Sequence, residues 1–551
     1  MSEKINEDRG DLIINSYYKI VKKYSEVHMP QLNNKSKELI LSIDAGTQSI
    51  RSALIDASGN ILHIVKTPIQ PYFSEHPGWA EQQPDYYWEV FCKTTSQLLK
   101  NTETHVKEII GVTLTTQRST MVNVDENGNS LRPAIVWLDQ RKADSSKILP
   151  GALRPLLKTV NLLDTAEGII QNCEANWICQ QQPDIWKKTH KFLYLSGFFT
   201  HRLTGDFVDS VANNIGYMPF NNKTYQWAGK YDFKRWIFKV EQEKLPDLVK
   251  PSEIMGQITK KASLETGIPA GLPVFAAGSD KGCEILGAGC LTPEIGCLSF
   301  GTIATFDVAS PKYVELMPMI PPFPASVPDT YYTEVSIIRG FWMVSWFKEE
   351  FGLQECILAE KKNEAPEKFF DSLIQNVPAG SMGLMLQPYW SPGFGADPYA
   401  KGSVIGFGDV HNRAYLYRAI LEGLVYGLRE GAELTQRKTK VPVKKLRVSG
   451  GGSQSDAAMQ ITADIFGMAA DRPHTYETSA LGAAIDAAVG LGLYPDFPSA
   501  VKAMTRIKEV FEPIPENHRL YDQLYLEVYL HMYKRLRPLY EKIRDITGYP
   551  K

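Results

Sequence analysis

The pattern of apolar and polar positions divides the chain at Leu39. Residues 1–38 are polar, apart from Leu12–Tyr24, where an amphipathic pattern predicts a short surface helix. From Leu39 onwards short apolar runs recur. Leu39–Ile43 and Ser52–Ile55 are β-branched runs of this kind, and they predict two strands joined by a tight turn.

The same reading extends over the rest of the chain. Further strands are predicted at Asn60–Val65, Ile109–Leu114, Met121–Val124, Ala134–Trp137, Pro273–Ala277, Cys297–Thr302, Ile303–Val308 and Leu446–Ser449. Helical spacing predicts helices at Asp85–Lys100, Asn176–Lys191, Lys191–Leu203, Cys283–Gly289, Phe341–Phe351, Glu367–Ile374, Asn412–Arg437, Asp456–Phe466 and Glu516–Ile546. Residues 142–260 are predicted to be largely helical. Ala480–Ala484 consists of small residues, which lets such a helix approach another helix closely.

Composition narrows the class of protein. A chain of 551 residues is too long for one core, so two large domains are expected. A net charge of −2 gives no bulk attraction to nucleic acid or to an anionic membrane, and no apolar run reaches the roughly 18 residues of a membrane span. Seven cysteines without a CxxC pair argue against a disulfide framework or a structural zinc site. A reducing cytoplasm is therefore the expected location.

The first predicted turn carries candidate phosphate chemistry. It contains Asp44, Gly46, Thr47, Gln48 and Ser49. The glycine permits close backbone approach, the hydroxyls and main-chain N–H groups can donate to phosphate oxygens, and the carboxylate can hold Mg²⁺. The turn is not a Walker loop, since no G-x-x-x-x-G-K-[ST] is present there. The alternative is a β-hairpin with a polar turn.

Two later turns have related chemistry. Gly301 and Thr302 again follow an apolar strand and precede another, as a duplicated two-lobed nucleotide-binding fold would require. A strand-to-helix connection permits flat contact with a base or ribose through Gly450, Gly451, Gly452 and Ser453. Taken alone, the glycine triplet is equally explained by a flexible turn.

Asp280 is a candidate general base. It lies in Gly278–Gly282, between a buried strand and a small-residue helix, where the glycines leave room for a substrate. An aspartate at this position is equally typical of a helix N-cap. Spacing alone does not decide between these interpretations.

Polar clusters with aromatic residues suit a small polyhydroxylated ligand, because a sugar stacks on tryptophan while its hydroxyls take directional hydrogen bonds. The clusters are Trp79 with Glu81, Gln117 with Arg118, and Trp137 with Asp139 and Arg141. For each cluster taken singly, a packed tryptophan or a surface arginine is the simpler explanation.

In this order the motifs resemble the FGGY family of carbohydrate kinases, within the sugar kinase, actin and heat-shock-70 ATPase superfamily. The matching segments are DAGTQS at 44–49, PGWAEQ at 77–82, TTQR at 115–118, WLDQR at 137–141, GSDKG at 278–282, SFGT at 299–302, Gly402–Glu422 and GGGSQS at 450–455. The resemblance implies an α/β fold of two actin-like (ribonuclease H-like) lobes, each with a mixed sheet flanked by helices. After the extension 1–38, the lobes would span 39–288 on the sugar side and 289–551 on the nucleotide side.

The resemblance also implies roles. Asp280 would take the proton from the attacking hydroxyl, with Lys281 beside it at the acceptor, and Asp44 would help hold Mg²⁺. Thr47, Gly301 and Thr302 would bind the migrating phosphate of ATP. The implied partner is a small sugar or polyol, with neither nucleic acid nor membrane, and the family's habit of dimerising leaves a homodimer open.

Four residues depart from the family pattern. Ser119 and Lys281 stand where glycerol kinases carry Glu and Gln, which argues against glycerol. Glu174 replaces a usual lysine, and Ile303 follows Thr302 where a smaller residue is common. The leading hypothesis is an ATP-dependent kinase of a small sugar, ketose or polyol such as xylulose. The alternative is a non-catalytic or regulatory ATP-binding protein of the same superfamily. A dinucleotide-dependent dehydrogenase is disfavoured, because the Asp44 turn joins two strands and does not open a helix.

Overall fold

The computed structural model describes residues 38–160, 162–362, 364, 366–390 and 399–549. The predicted helix Leu12–Tyr24 lies outside these residues. Within them, every helix is too short or too polar to cross a membrane.

The first half of the chain is built on a six-stranded mixed sheet with the order β13-β14-β5-β1-β2-β3. β1 pairs with β2 in antiparallel fashion on one side and with β5 in parallel fashion on the other. The strands of this half are β1 Leu39–Ala45, β2 Ser49–Asp56, β3 Ile61–Pro68, β4 Glu81–Gln82, β5 Ile109–Thr116, β6 Met121–Val124, β7 Ala134–Ile135, β8 Lys191–Tyr194, β9 Val208–Ser210, β10 Phe220–Asn221, β11 Gln226–Trp227, β12 Asp247–Val249, β13 Ile254–Gln257 and β14 Pro273–Phe275.

The second half repeats this plan in a seven-stranded sheet with the order β17-β18-β16-β15-β21-β22-β23. β15 pairs antiparallel with β16 and parallel with β21, just as β1 pairs with β2 and β5. The predicted duplication is therefore confirmed. The strands of this half are β15 Ile295–Phe300, β16 Ala304–Ser310, β17 Phe323–Pro324, β18 Tyr331–Ile337, β19 Met385–Gln387, β20 Ser403–Ile405, β21 Lys445–Ser449, β22 Ala470–Pro473 and β23 Ile507–Phe511.

Helices flank both sheets, and the apolar side chains between them form two main cores, one against each sheet. The helices are Pro84–Asn101, Arg154–Thr159, Leu163–Gln171, Glu174–Gln181, Pro183–Lys188, Leu195–Thr204, Phe233–Ile237, Lys260–Thr266, Asp280–Gly287, Trp342–Phe351, Leu353–Lys362, Glu367–Leu373, Arg413–Thr439, Asp456–Phe466, Thr478–Gly490, Phe497–Met504, Pro515–Gln523 and Leu530–Thr547.

Two helices in equivalent places of the repeat cross each other between the sheets. Asp280–Gly287 follows β14, and Thr478–Gly490 follows β22. A Cβ atom on Gly482 would lie only 1.9 Å from the carbonyl oxygen of Cys283, and one on Gly287 only 2.0 Å from that of Thr478. The close approach expected of the small-residue helix is therefore present, and glycine makes it possible.

The helix Thr478–Gly490 also joins the two halves. Its small residues share an apolar cluster with residues of β1, β2 and β14. On β1, Ser42 Oγ donates a buried hydrogen bond of 2.8 Å to the Ala480 carbonyl oxygen. The second half of the chain thus supplies part of the packing of the first sheet.

The prediction for residues 142–260 was wrong in part. Lys191–Tyr194 is strand β8, paired antiparallel with β6, and the helix predicted at Lys191–Leu203 begins only at Leu195 and ends at Thr204. Successive β8 side chains point to different cores, with Phe192 in one and Leu193 in the other, so the true period is two. The predicted helix Asn176–Lys191 is also interrupted, because Pro183 begins a new helix.

Candidate active site

A cavity of about 1490 Å³ lies between the two sheets. This volume exceeds the roughly 300–1,000 Å³ of a pocket for one drug-sized ligand, so it can hold two ligands together. The cavity wall brings together most of the residues singled out from the sequence. They are Asp44, Gly46, Thr47, Gln48, Ser49, Gln117, Arg118, Trp137, Asp139, Asp280, Lys281, Gly301, Thr302, Gly450, Gly451 and Gly452.

The turn between β1 and β2 forms one wall. Gly46 N–H donates to the Ser49 carbonyl oxygen at 3.1 Å and closes the turn. Trp137 Nε1 donates to Thr47 Oγ1 at 3.0 Å, which ties the turn to the aromatic side of the cavity. The equivalent turn of the repeat, between β15 and β16, presents Gly301 and Thr302 to the same space.

Arg51 also lines this wall, and sequence reasoning missed it. Its Nη1 donates to Asp44 Oδ2 at 2.7 Å, and its Nε lies 3.3 Å from Glu477 Oε2. Burial acts to lower the pKa of Arg51, but Asp44 and Glu477 outweigh it and the net pKa is raised. The available signal was a lone arginine within the apolar strand β2.

The donor set fits a magnesium ion brought in with phosphate. Among the described residues no group of three His, Cys, Asp or Glu side chains forms a protein cage for a metal. Mg²⁺ commonly binds through one or two carboxylates together with substrate phosphates and water, and does not need such a cage. Asp44 lines the cavity and supplies a carboxylate of that kind.

Asp280 is the first residue of its helix and is not the helix cap. Ser279 is the N-cap, and its Oγ accepts from Gly282 N–H at 3.3 Å. The Asp280 carboxylate, 33% exposed, therefore remains available at the cavity wall. Burial raises its pKa to about 6, with Asp44 acting in the same direction while Arg118 and Lys281 oppose it.

Arg118 bridges the two lobes above Asp280. Its Nη1 and Nη2 donate to the two carboxylate oxygens of Glu334, on β18, at 2.7 and 3.1 Å. Its Nε lies 3.9 Å from Asp280 Oδ1. Bidentate arginine–carboxylate pairs fix geometry as well as charge, so Glu334 holds Arg118 beside the candidate base. Glu334, far away in sequence, was not foreseen.

Lys281, the residue after Asp280, forms an ion pair within the same helix. Its Nζ pairs with Glu284 on the same helix, and Glu284 Oε1 accepts from Ser449 Oγ of β21 at 2.6 Å. Burial acts to raise the pKa of Glu284, but Lys281 reverses this and the net pKa is lowered. Lys281 reaches the cavity wall as predicted, with its charge already paired.

Trp79, Glu81 and Ser453 do not line the cavity, although the sequence suggested that they contact ligands. Glu81 is buried and paired with Arg132 and, at 2.8 Å, with Arg141. Trp79 lies under the Arg141 guanidinium, with its ring centroid 3.9 Å from Cζ. Trp177 covers the guanidinium at 4.6 Å. Trp79 and Glu81 thus support Arg141, which pairs with Asp139 at 2.7 Å in the wall.

The glycine-rich turn after β21 lies at the other end of the cavity. Gly450 has φ +81°, and a Cβ there would lie 2.9 Å from the Phe300 backbone. A Cβ on Gly452 would lie 2.4 Å from Phe341, whose ring stacks on Phe300. Ser453 Oγ donates inward to the Gly450 carbonyl oxygen at 2.7 Å, so Ser453 closes the turn from behind.

The helix Asp456–Phe466 after this turn already has an anionic cap. Asp371 accepts from Ser455 Oγ at 2.6 Å and from Asp456 N–H at 2.9 Å. The positive end of this helix is therefore already neutralised by the Asp371 carboxylate of the chain itself. The cavity side of the turn consists of glycine backbone and the rings of Phe300 and Phe341, with Gln454, Ser455 and Asp371 beside them.

Comparisons with known proteins agree with this geometry. The family models described as the N-terminal and C-terminal domains of the FGGY family of carbohydrate kinases match residues 39–287 and 296–491. A protein of Escherichia coli K12 named "Uncharacterized sugar kinase YgcE" is 31% identical over 93% of this chain and 96% of its own length. A xylulose kinase of Staphylococcus epidermidis is 30% identical over 93% and 100%.

The fold is found among solved structures as well. A gluconate kinase from Lactobacillus acidophilus superimposes with a TM-score of 0.76 at 20% sequence identity, over 92% of this chain and 100% of that chain. At this level of identity the likeness shows the fold alone.

Proposed function

This chain belongs to the FGGY family of carbohydrate kinases and is an ATP-dependent sugar kinase, and we propose that Asp280 is its general base toward a small ketose or polyol such as xylulose. The observation that carries this proposal is the position of the Asp280 carboxylate. It lies in the wall of one cavity together with both glycine–threonine turns, and its pKa is raised by burial to about 6.

The proposed reaction uses the chain mainly for positioning. Asp280 accepts the proton of the acceptor hydroxyl as that oxygen attacks the γ-phosphorus of ATP. The bond to the β,γ-bridging oxygen breaks, and ADP leaves. Thr47, Gly301 and Thr302 hold the migrating phosphate from both sides of the cleft. In this type of transfer, alignment and charge neutralisation supply most of the catalysis.

The charged residues beside the first glycine–threonine turn support phosphate binding at this end of the cavity. Arg51 holds Asp44 by one oxygen, and both line the cavity beside the first turn. We assign Asp44 to magnesium and Arg51 to orienting Asp44. When bound, Mg²⁺ supplies neutralisation of the phosphate charge that develops during transfer.

The nucleotide and the acceptor are assigned to opposite ends of the cavity. Gly450, Gly451 and Gly452 face the nucleotide, with the paired rings of Phe300 and Phe341 beside them. Gln117, Arg118, Trp137 and Asp139 face the acceptor. Trp79 and Glu81 act through Arg141, and Ser453 through the shape of the glycine turn.

Two broader expectations remain proposals. A reducing, cytoplasmic setting is supported by the seven cysteines, all of which are free thiols. Homodimer formation is proposed from family membership alone and is tested by the mass of the full chain in solution.

The test is phosphoryl transfer from ATP·Mg²⁺ across a panel of ketoses, aldoses and polyols with the full chain. Asp280→Asn should lower kcat at least about 100-fold while ATP affinity stays within about twofold, because a general base contributes about 10²–10⁴-fold. Asp184→Asn is the matched control, because Asp184 is exposed and does not line the cavity. An active Asn variant would contradict the base assignment. ATP binding without transfer to any panel member would favour a non-catalytic ATP-binding protein.

A further inference from the structure

Each basic side chain at the acceptor end of the cavity already has a partner within the chain. Arg118 is held by Glu334. Arg141 is held by Asp139 and Glu81. Two lysines lie at the same end: Lys281 pairs with Glu284, whereas Lys234 Nζ donates to two neutral acceptors, the Phe220 carbonyl oxygen at 2.6 Å and Asn222 Oδ1 at 3.3 Å. An anionic acceptor would therefore have to break an existing ion pair, or draw Lys234 away from its two neutral hydrogen-bond acceptors, to gain a counter-charge.

Glu174 presents the opposite situation. It is the first residue of the helix Glu174–Gln181, is partly buried and lines the same cavity. Among the described residues, no lysine or arginine forms an ion pair with it. Trp177, one turn further along, covers Arg141, so Glu174 lies next to the wall assigned to the acceptor.

We propose that Glu174 is a specificity-determining residue that restricts the acceptor to uncharged sugars and polyols and excludes sugar acids, an inference that rests on the kinase function proposed above. A carboxylate on the acceptor would meet Glu174, Asp139 and Asp280, while the basic side chains around it are already held by partners within the chain. Burying an unpaired charge in this way is strongly unfavourable. A hydroxyl of a neutral acceptor can instead share a hydrogen bond with the Glu174 carboxyl group.

The protonation of Glu174 strengthens this distinction. Burial raises its pKa to about 8, with Asp139 acting in the same direction and Arg141 opposing it. Near pH 7 the group is mostly neutral, and above pH 8 it becomes a carboxylate that repels anions further. The titratable and charged groups that face it are Asp139, Arg141, Cys173, Tyr194 and Tyr217.

The experiment compares gluconate with neutral ketoses and polyols as acceptors, with ATP·Mg²⁺ and the full chain. Wild type should use gluconate with a kcat/KM at least about 100-fold below that of its best neutral acceptor. Glu174→Lys supplies a free cation and should reduce that ratio to about tenfold or less. Asp184→Asn, an exposed carboxylate outside the cavity, should keep the wild-type ratio.

A second variant covers the risk that Glu174→Lys does not fold. Glu174→Gln keeps the shape and removes the ionisation. The wild-type preference for the neutral acceptor should increase several-fold between pH 7 and pH 9, as Glu174 ionises, whereas that of Glu174→Gln should stay constant. Taking the ratio of the two acceptors removes the effect of Asp280, which acts on both.

The outcomes separate this inference from the proposed function. Wild-type transfer to gluconate at a rate comparable with that to ketoses would overturn the inference and leave the kinase assignment standing. Unchanged ratios in both Glu174 variants would overturn the role of Glu174. The absence of transfer to every acceptor would overturn the proposed function, and the inference with it.

Discussion

The crossing of the helices Asp280–Gly287 and Thr478–Gly490 leads to a prediction that joins stability to catalysis. In Gly482→Ala the new Cβ would lie 1.9 Å from the Cys283 carbonyl oxygen, whereas real Cβ contacts stay beyond 3.0 Å. The obstacle is backbone and cannot rotate away. The helices must therefore separate locally by about 1.1 Å, the difference between those two distances.

The change in the free energy of unfolding caused by Gly482→Ala can be bounded. Alanine in a helix interior is favoured over glycine by about 1 kcal/mol, while overpacking a core costs about 1–3 kcal/mol. We expect a net loss of up to about 2 kcal/mol, seen as a Tm lowered by up to about 4 °C. Because one of the two helices begins with Asp280, a displacement near 1 Å should also lower kcat by up to about 100-fold.

The assay pairs a thermal melt with steady-state kinetics on the best acceptor of the panel. Gly168→Ala is the matched control, because Gly168 lies in the helix Leu163–Gln171 and no atom lies within 4 Å of its ideal Cβ. It should raise Tm slightly and leave kcat unchanged. A Gly482→Ala protein with wild-type Tm and wild-type kcat would refute the reasoning.

Three further predictions concern the site itself. Asp280 must be ionised to act as a base, and burial raises its pKa to about 6. The value of kcat/KM should therefore fall about tenfold per pH unit below pH 6 and level off above it, and a flat profile between pH 5 and pH 7 would contradict this. In Glu334→Gln, Arg118 loses its charged partner and interacts more strongly with Asp280, whose Oδ1 lies 3.9 Å from Arg118 Nε. The fall of kcat/KM at acid pH should therefore move to lower pH by about half to one unit, and an upward shift would exclude this coupling. Asp371→Ala removes the acceptor for Ser455 Oγ and Asp456 N–H and should cost about 1 kcal/mol of stability, measured as a lower Tm, whereas an unchanged Tm would show that the cap is dispensable.

Local patterns predicted the elements of this fold well, and long-range pairing explains the failures. The two glycine–threonine turns and the small-residue helix were evident because their chemistry lies within a few adjacent residues. Strand β8 was mistaken for helix, since its side chains divide between two cores that only the folded chain creates.

Long-range pairing also explains which site residues could not be predicted from the sequence. Asp280, Arg118 and Asp139 were found from their local motifs, and all three line the cavity. Glu334 was missed because its partner, Arg118, lies 216 residues away. Trp79 and Glu81 were assigned to sugar-side segments, yet their neighbours turn them toward Arg141 and away from the cavity.

The arginine held between Trp79 and Trp177 has a thermodynamic consequence for acceptor binding. Fixing a long, rotamer-rich side chain when a ligand arrives costs about 0.5–1.5 kcal/mol of binding free energy. Arg141 has two aromatic faces and two carboxylate partners, so it loses this freedom when the chain folds. The wall that we propose for the acceptor is thus preorganised, and this part of the entropic cost falls on folding, before a sugar binds.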